Sequence, residues 1–180
     1  MRPAIPDLDR PLIVRQQPDI YVFDLWTPFV CRRILAHTDE AASDFAPPNT
    51  MNRYGALLAN IGLEGLAADL LDECVAPLAR RFYPDVGRMH GTHAFLVDYS
   101  MDTQRSLAPH ADDSDVTLNV CLGRTFEGGD LVFSDGSQKP LHHAVGQAVL
   151  HRGTAEHRAT RLRAGHRTNL ILWCRRKRYA

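Results

Sequence analysis

Four side chains in the C-terminal half could act on one substrate. His110 and Asp112 stand two residues apart, His157 follows far along the chain, and Arg167 comes later still. Two imidazoles and one carboxylate are the donor set of a 2-His-1-carboxylate iron site, which fills one face of an octahedron and leaves three positions open for a substrate and O2. A structural zinc site would be tetrahedral and closed, and a catalytic one would keep a single open position. Arg167 precedes the apolar run Leu170-Ile171-Leu172-Trp173. A guanidinium is costly to bury there unless it meets an anion, and its planar fork suits a carboxylate. The plainer alternative is an arginine in solvent, or one paired with Glu127 or Glu156; beside the triad, a bound dicarboxylate is the better account.

These groups need elements to position them. If residues 107–112 are extended, His110 and Asp112 project from one face, because side chains alternate along a strand. His157 must then arrive on a separate strand. Along 116–122, Val116, Leu118, Val120 and Leu122 form one apolar face, while Thr117, Asn119 and Cys121 form the other, able to line a polar cavity. Arg167 and Asn169 also share a face. The spacing predicts extended runs at 93–99, 107–112, 116–122, 130–134, 145–151 and 168–174, separated by turn chemistry such as Gly128-Gly129 and Asp135-Gly136.

The N-terminal half reads differently. Ile20-Tyr21-Val22-Phe23 is β-prone. Thr27-Pro28 looks like an N-cap with proline at the first helical position, and Val30, Ile34, Ala41 and Phe45 predict a helix to about Ser43. Leu66, Leu70, Leu71, Cys74, Val75 and Leu78 make a second helical stripe, kinked or split near Pro77. The polar, aromatic and non-periodic Asn52-Arg53-Tyr54 is expected to cover the mouth of the site. The expected fold is α+β, a double-stranded β-helix (jelly-roll) core over about 91–175 with helices of the N-terminal part, about 1–90, packed on one sheet, all in a single domain spanning 1–180.

Other features are read as structural. Asp113 and Asp115 are solvent-facing turn residues, since no EF-hand spacing surrounds them. His142 and His143 point opposite ways and are read as surface residues. His151 either stands behind the site or is a core histidine bonded to backbone. Arg175-Arg176-Lys177-Arg178 is a solvated basic tail. Twenty-one basic residues balance 21 acidic ones, so no nucleic-acid partner is expected. Cys31, Cys74, Cys121 and Cys174 are scattered without a C-x-x-C pair, which points to buried thiols in a reducing compartment. With no apolar run near the roughly 18 residues that span a bilayer and no signal-peptide core, no membrane association and a cytoplasmic location are expected. Oligomeric state is not legible.

Taken together, Pro48-Asn49-Thr50-Met51-Asn52-Arg53-Tyr54-Gly55, His93–Val97, Asp115–Gly123, Phe126-Glu127-Gly128-Gly129 and Gly146–Gly153 resemble the 2-oxoglutarate- and Fe(II)-dependent oxygenases. The likeness is to the prolyl 4-hydroxylase-like group, and within it to the type called 2-oxoglutarate and iron-dependent oxygenase domain-containing protein 2. It runs from about residue 45 to the end. The resemblance implies His110, Asp112 and His157 as ligands of Fe(II), Arg167 as partner of the distal carboxylate of 2-oxoglutarate, and Tyr99 as a second contact. It also implies O2 as cosubstrate and ascorbate as an accessory. Asn169 stands where relatives often carry serine, but can still donate a hydrogen bond; Asn119, on the polar face, is the remaining cosubstrate-binding candidate. The implied activity is hydroxylation of an unactivated C–H with release of succinate and CO2. The substrate would be an amino acid, a peptide or protein side chain, or a small metabolite. Because a carboxylate, Asp112, completes the ligand set, no place is left for a halide, and hydroxylation is expected over halogenation. A non-catalytic sensor of metal or dicarboxylate on the same scaffold is the alternative.

Overall fold

A computed structural model describes residues 14–41, 47–134, 136 and 138–176. The chain runs β1 (Val14–Gln17), β2 (Ile20–Asp24), α1 (Pro28–Glu40), β3 (Gly55–Leu57), α2 (Glu64–Asp69), a π-helical segment (Leu70–Val75), α3 (Ala76–Phe82), then β4 (Met89–Ser100), β5 (Leu107–His110), β6 (Val116–Gly123), β7 (Phe126–Gly128), β8 (Leu131–Phe133), β9 (Pro140–Leu141), β10 (Gln147–Arg152), β11 (His157–Ala159) and β12 (Leu162–Arg176). Two antiparallel sheets face each other as a jelly roll. The larger is ordered β1-β2-β10-β6-β12-β4-β3, with β7 also pairing β12; the smaller is β5-β11-β8-β9.

The alternation along β6 decides which way each face turns. Val116, Leu118, Val120 and Leu122 join Leu96, Leu150, Leu170 and Leu172 in a core shared with the helices, through Ile34, Leu66, Leu70 and Leu78. The opposite face of the large sheet packs Phe95, Val97, Tyr99, Ile171 and Trp173 against Leu131, Phe133 and Ala159 of the small sheet. Thr27 caps α1, its hydroxyl accepting from the Val30 amide at 3.4 Å. The buried stripe of α1 is Cys31, Ile34, Leu35 and Thr38, one step round from the expected one. Ala41 is partly buried against the same core, while Ser43 and Phe45 lie outside the described residues.

The second helical stripe is split, as Pro77 requires: its ring removes an N–H and collides with the carbonyl four residues back. The accommodation is the widened π-helical turn Leu70–Val75 just before it. The strand expected at 20–23 is β2, which pairs β10, and an unexpected short strand, β3, pairs β4 in the large sheet. Tyr83 ties the helical layer down, its buried hydroxyl donating to the carbonyls of Asp19 at 2.9 Å and Leu150 at 3.2 Å. All four cysteines are free and buried; burial pushes the Cys74 thiol up to about 12, leaving it protonated and unreactive. No helix among the described residues is long and apolar enough to cross a membrane.

Candidate metal and dicarboxylate site

β5 is shorter than expected. It ends at His110, and Asp112 follows in a loop whose amide donates to the Gly153 carbonyl at 2.8 Å. Close packing shapes this loop. A Cβ on Gly153 would meet the Ser114 carbonyl oxygen at 2.0 Å, so only glycine admits the contact. Asp113 faces solvent as expected, its side chain 77% exposed, and Asp115 does so only in part, at 22%; both are also ion-paired. Arg175 pairs with Asp113, and Arg176 lies 3.3 Å from the Asp115 carboxylate, so the start of the basic tail clasps the loop from outside; Lys177 and Arg178 lie outside the described residues.

His157 comes from β11, a strand of three residues that pairs with β5 so that His157 stands opposite His110. The two rings lie 4.4 Å apart. The donor atoms of His110, Asp112 and His157 all lie within 4.8 Å of one another, close enough for one ion to bridge them. Both imidazoles point the same nitrogen at backbone: His110 Nδ1 is 2.9 Å from the Ala108 carbonyl, and His157 Nδ1 is 2.9 Å from the Ala155 carbonyl. A carbonyl only accepts, so each Nδ1 carries a proton and each Nε2 is the nitrogen turned toward the other donor atoms. That is the arrangement a metal ligand needs, fixed by the bond on its far nitrogen.

The electrostatics agree. Burial drives the His157 pKa down to about 4, assisted by the neighbouring His151, so the ring is neutral. Burial alone would raise Asp112; the bond from His110, the neighbouring imidazoles and Thr117 outweigh it and hold the carboxyl at about 2. Burial lowers His110, but Asp112 and the Ala108 carbonyl leave it above its ordinary value. The Thr117 hydroxyl donates to Asp112 Oδ2 at 2.7 Å and aims the carboxylate. His151 stands behind the triad, wholly buried, with its Nε2 3.8 Å from Asp112 Oδ2 and its Nδ1 donating to the Arg152 carbonyl at 2.9 Å. Two imidazoles that turn Nε2 inward and an anionic carboxylate, each oriented by a further partner, fit a divalent transition metal.

Arg167 lies on β12 opposite Tyr99 of β4 and is 2% exposed. No carboxylate among the described residues pairs with it, neither Glu127 nor Glu156. Its Nε donates to Asn169 Oδ1 at 2.9 Å, one terminal nitrogen donates to the Gly129 carbonyl, and the other lies 3.3 Å from His143 Nδ1. Asn169 in turn donates to Asn119 Oδ1 at 2.6 Å. The triad, Arg167, Tyr99, Asn119 and Asn169 all line one cavity between the sheets, walled otherwise by apolar residues including Phe95, Leu131, Ile171 and Trp173. An uncompensated buried guanidinium and a metal-ready triad on one cavity invite a ligand that is anionic at one end and metal-chelating at the other.

Of the expected mouth residues, only Asn52 lines this cavity. It is 3% exposed and its Oδ1 is unpartnered. Arg53 and Tyr54 face an adjacent surface hollow instead. His143 is the larger correction: it is no surface residue but is 1% exposed and touches Arg167, whereas the His142 side chain is 75% exposed. Sequence alone did not mark it, because nothing in two adjacent histidines says which one turns inward.

Comparison with known proteins gives a consistent likeness. A family model described as an OGFOD2-like domain matches residues 7–88, so the resemblance reaches further towards the N-terminus than the motifs. The chain is 39% identical over 189 residues to the "2-oxoglutarate and iron-dependent oxygenase domain-containing protein CP2" of Arabidopsis thaliana, covering 92% of this chain and 48% of that one. It is 37% identical over 182 residues to the human "2-oxoglutarate and iron-dependent oxygenase domain-containing protein 2", covering 93% and 52%. The chain thus spans about half the length of these curated relatives. Among solved structures, a Trichoplax adhaerens prolyl hydroxylase, in complex with a hypoxia inducible factor oxygen degradation domain peptide fragment, superposes with a TM-score of 0.69 at 13% identity, covering 88% of this chain and 84% of that one.

Proposed function

From its likeness to the 2-oxoglutarate and iron-dependent oxygenase domain-containing proteins and a fold shared with a prolyl hydroxylase, we propose that this chain is a dioxygenase that hydroxylates an unactivated C–H bond. One substrate C–H, one 2-oxoglutarate and one O2 give one alcohol, one succinate and one CO2, each product acid and alcohol gaining one oxygen atom. The observation that carries this reading is the placement of the His110–Asp112–His157 triad and the uncompensated Arg167 on the same cavity.

Each side chain then has a task. His110, Asp112 and His157 would hold Fe(II), which supplies when bound the O2 activation and radical chemistry that amino-acid side chains lack. Arg167 binds the distal carboxylate of 2-oxoglutarate. Tyr99 is held protonated, its phenol pushed up to about 12 by burial, so it can only help as a hydrogen-bond donor. Asn169 and Asn119 fix the guanidinium's edge and the polar floor beside it. The apolar walls keep water from the reacting carbon.

The test is succinate formation from 2-oxoglutarate with Fe(II) and O2, with or without added substrate candidates. The wild-type chain is expected to turn over 2-oxoglutarate slowly even uncoupled. Arg167→Ala should raise the 2-oxoglutarate requirement at least about tenfold, as expected for losing a buried charge partner, with metal content unchanged. Equal loss of iron in that variant would overturn the assigned role. No succinate under any condition, with metal and 2-oxoglutarate both bound, would favour a sensor.

A further inference from the structure

We infer that His143 is the positioning residue that makes the dicarboxylate pocket, by holding the Arg167 guanidinium in place as a neutral acceptor so that none of its charge is spent on the protein. This rests on the reading of Arg167 as the 2-oxoglutarate anchor. His143 stands behind Arg167 and Asn169 rather than on the cavity lining.

The geometry leaves one assignment. His143 Nε2 lies 2.8 Å from the Gln147 carbonyl, which only accepts, so the proton sits on Nε2 and Nδ1 is a bare lone pair. That lone pair faces two donors, the Arg167 terminal nitrogen at 3.3 Å and Asn169 Nδ2 at 3.4 Å. Burial and the adjacent guanidinium drive the His143 pKa down to about 3, so the ring stays an acceptor at any working pH. With Gly129 O and Asn169 Oδ1, the hydrogen-bond acceptors of Arg167 among the described residues are thus uncharged. A cation buried this way keeps its full attraction for an incoming anion. A carboxylate in the place of the imidazole would satisfy the same hydrogen bond but neutralise the charge and close the pocket electrostatically.

The local chain is folded to deliver this ring. Gln147 closes a turn on His143, its amide donating to the Ala144 carbonyl at 3.1 Å and its side-chain Oε1 accepting from the Ala144 amide at 3.1 Å. Gly146 supplies the turn's positive φ of 85°, and a Cβ there would strike the Trp26 carbonyl oxygen at 1.9 Å. A turn so specified, carrying a fully buried imidazole onto an arginine, is built for that contact.

Three substitutions test it, read by calorimetric binding of 2-oxoglutarate to the Mn(II)-loaded chain without O2, by metal content, and by the split between KM for 2-oxoglutarate and kcat in succinate formation. His143→Phe keeps the ring and removes the acceptor. Binding should weaken about ten- to a hundredfold, the range for losing a hydrogen bond to a charged group, with the effect in KM and with metal content and unfolding temperature kept. His143→Asn returns an acceptor near the Nδ1 position and should recover to within about threefold of wild type. His143→Asp should weaken binding more than His143→Phe, because it adds an ion pair that competes with the ligand. Wild-type affinity in His143→Phe, or His143→Asp binding as well as His143→Asn, would overturn the inference while leaving the function reading intact. If the wild-type chain itself binds no 2-oxoglutarate, the reading of Arg167 falls, and this inference falls with it. Should His143→Phe fail to fold, the Asn–Asp contrast decides alone.

Discussion

Asp112 does its work through neighbours that are not themselves candidate ligands. The Thr117 hydroxyl gives it a 2.7 Å bond and the Gly153 carbonyl receives its amide, so the carboxylate is aimed before any metal arrives. Partners of this kind typically govern metal affinity ten- to a hundredfold. Thr117→Val, which keeps shape and removes the hydroxyl, is therefore expected to weaken Fe(II) or Mn(II) binding about tenfold, measured by competitive metal titration, with little change in 2-oxoglutarate affinity once metal is saturating. An unchanged metal affinity would mean that backbone packing, not Thr117, sets the carboxylate. At this scale the sequence was half legible. The H-x-D pair, the late histidine and the arginine announce a donor set by type. His143 does not, because a histidine beside another histidine looks like surface until one knows which of the two turns inward.

The elements decide where those residues meet. β5 and β11 are short, four and three residues; β5 falls inside the expected run 107–112, whereas β11 has too little pattern to announce itself and exists because pairing with β5 and β8 satisfies its backbone. The loop after β5 is held by the Gly153 contact and, outside, by Arg175 and Arg176. The exposed ion pairs contribute little individually, so the close approach at Gly153 should dominate. Gly153→Ala must push the Ser114 backbone away, as the 2.0 Å contact of a Cβ shows. The expected outcome is a destabilisation of about 1–3 kcal/mol, typical of overpacking, together with loss of metal affinity, read by thermal unfolding with and without Mn(II). Arg175→Ala, by contrast, is expected to change stability by less than about 1 kcal/mol. A Gly153→Ala protein with wild-type stability and metal content would show that the loop tolerates displacement.

For the whole molecule, the two sheets divide the labour. The large one carries the apolar face under the helices and, on its other side, Arg167, Tyr99, Asn119 and Asn169. The smaller supplies His110 and His157. A metal held by these residues would tie β5, its loop and β11 together. It should therefore stabilise the folded state by mass action, by about 2.7 kcal/mol at a hundredfold excess over its dissociation constant. The unfolding temperature should rise by about 5–11 °C on adding Mn(II) at that excess and fall back with EDTA. A curve indifferent to both would place the triad outside metal binding.

What the sequence determined alone was periodic or chemical in kind. The alternation of β6 foretold a helix-covered face and a cavity face; Pro77 foretold a broken helix; the types His, Asp, His and Arg marked out a donor set and a cation, which the structure brings to one cavity. Such features are local, and are written wherever a residue's neighbours in sequence are also its neighbours in space. The tertiary structure alone decided the rest: that His157 stands opposite His110, that a three-residue strand carries it, that Arg53 and Tyr54 line an adjacent hollow and not the cavity, and that a buried neutral His143 bears on Arg167. Those facts depend on contacts between segments far apart in the chain, whose energy comes from burying surface together, and no single stretch of sequence carries them.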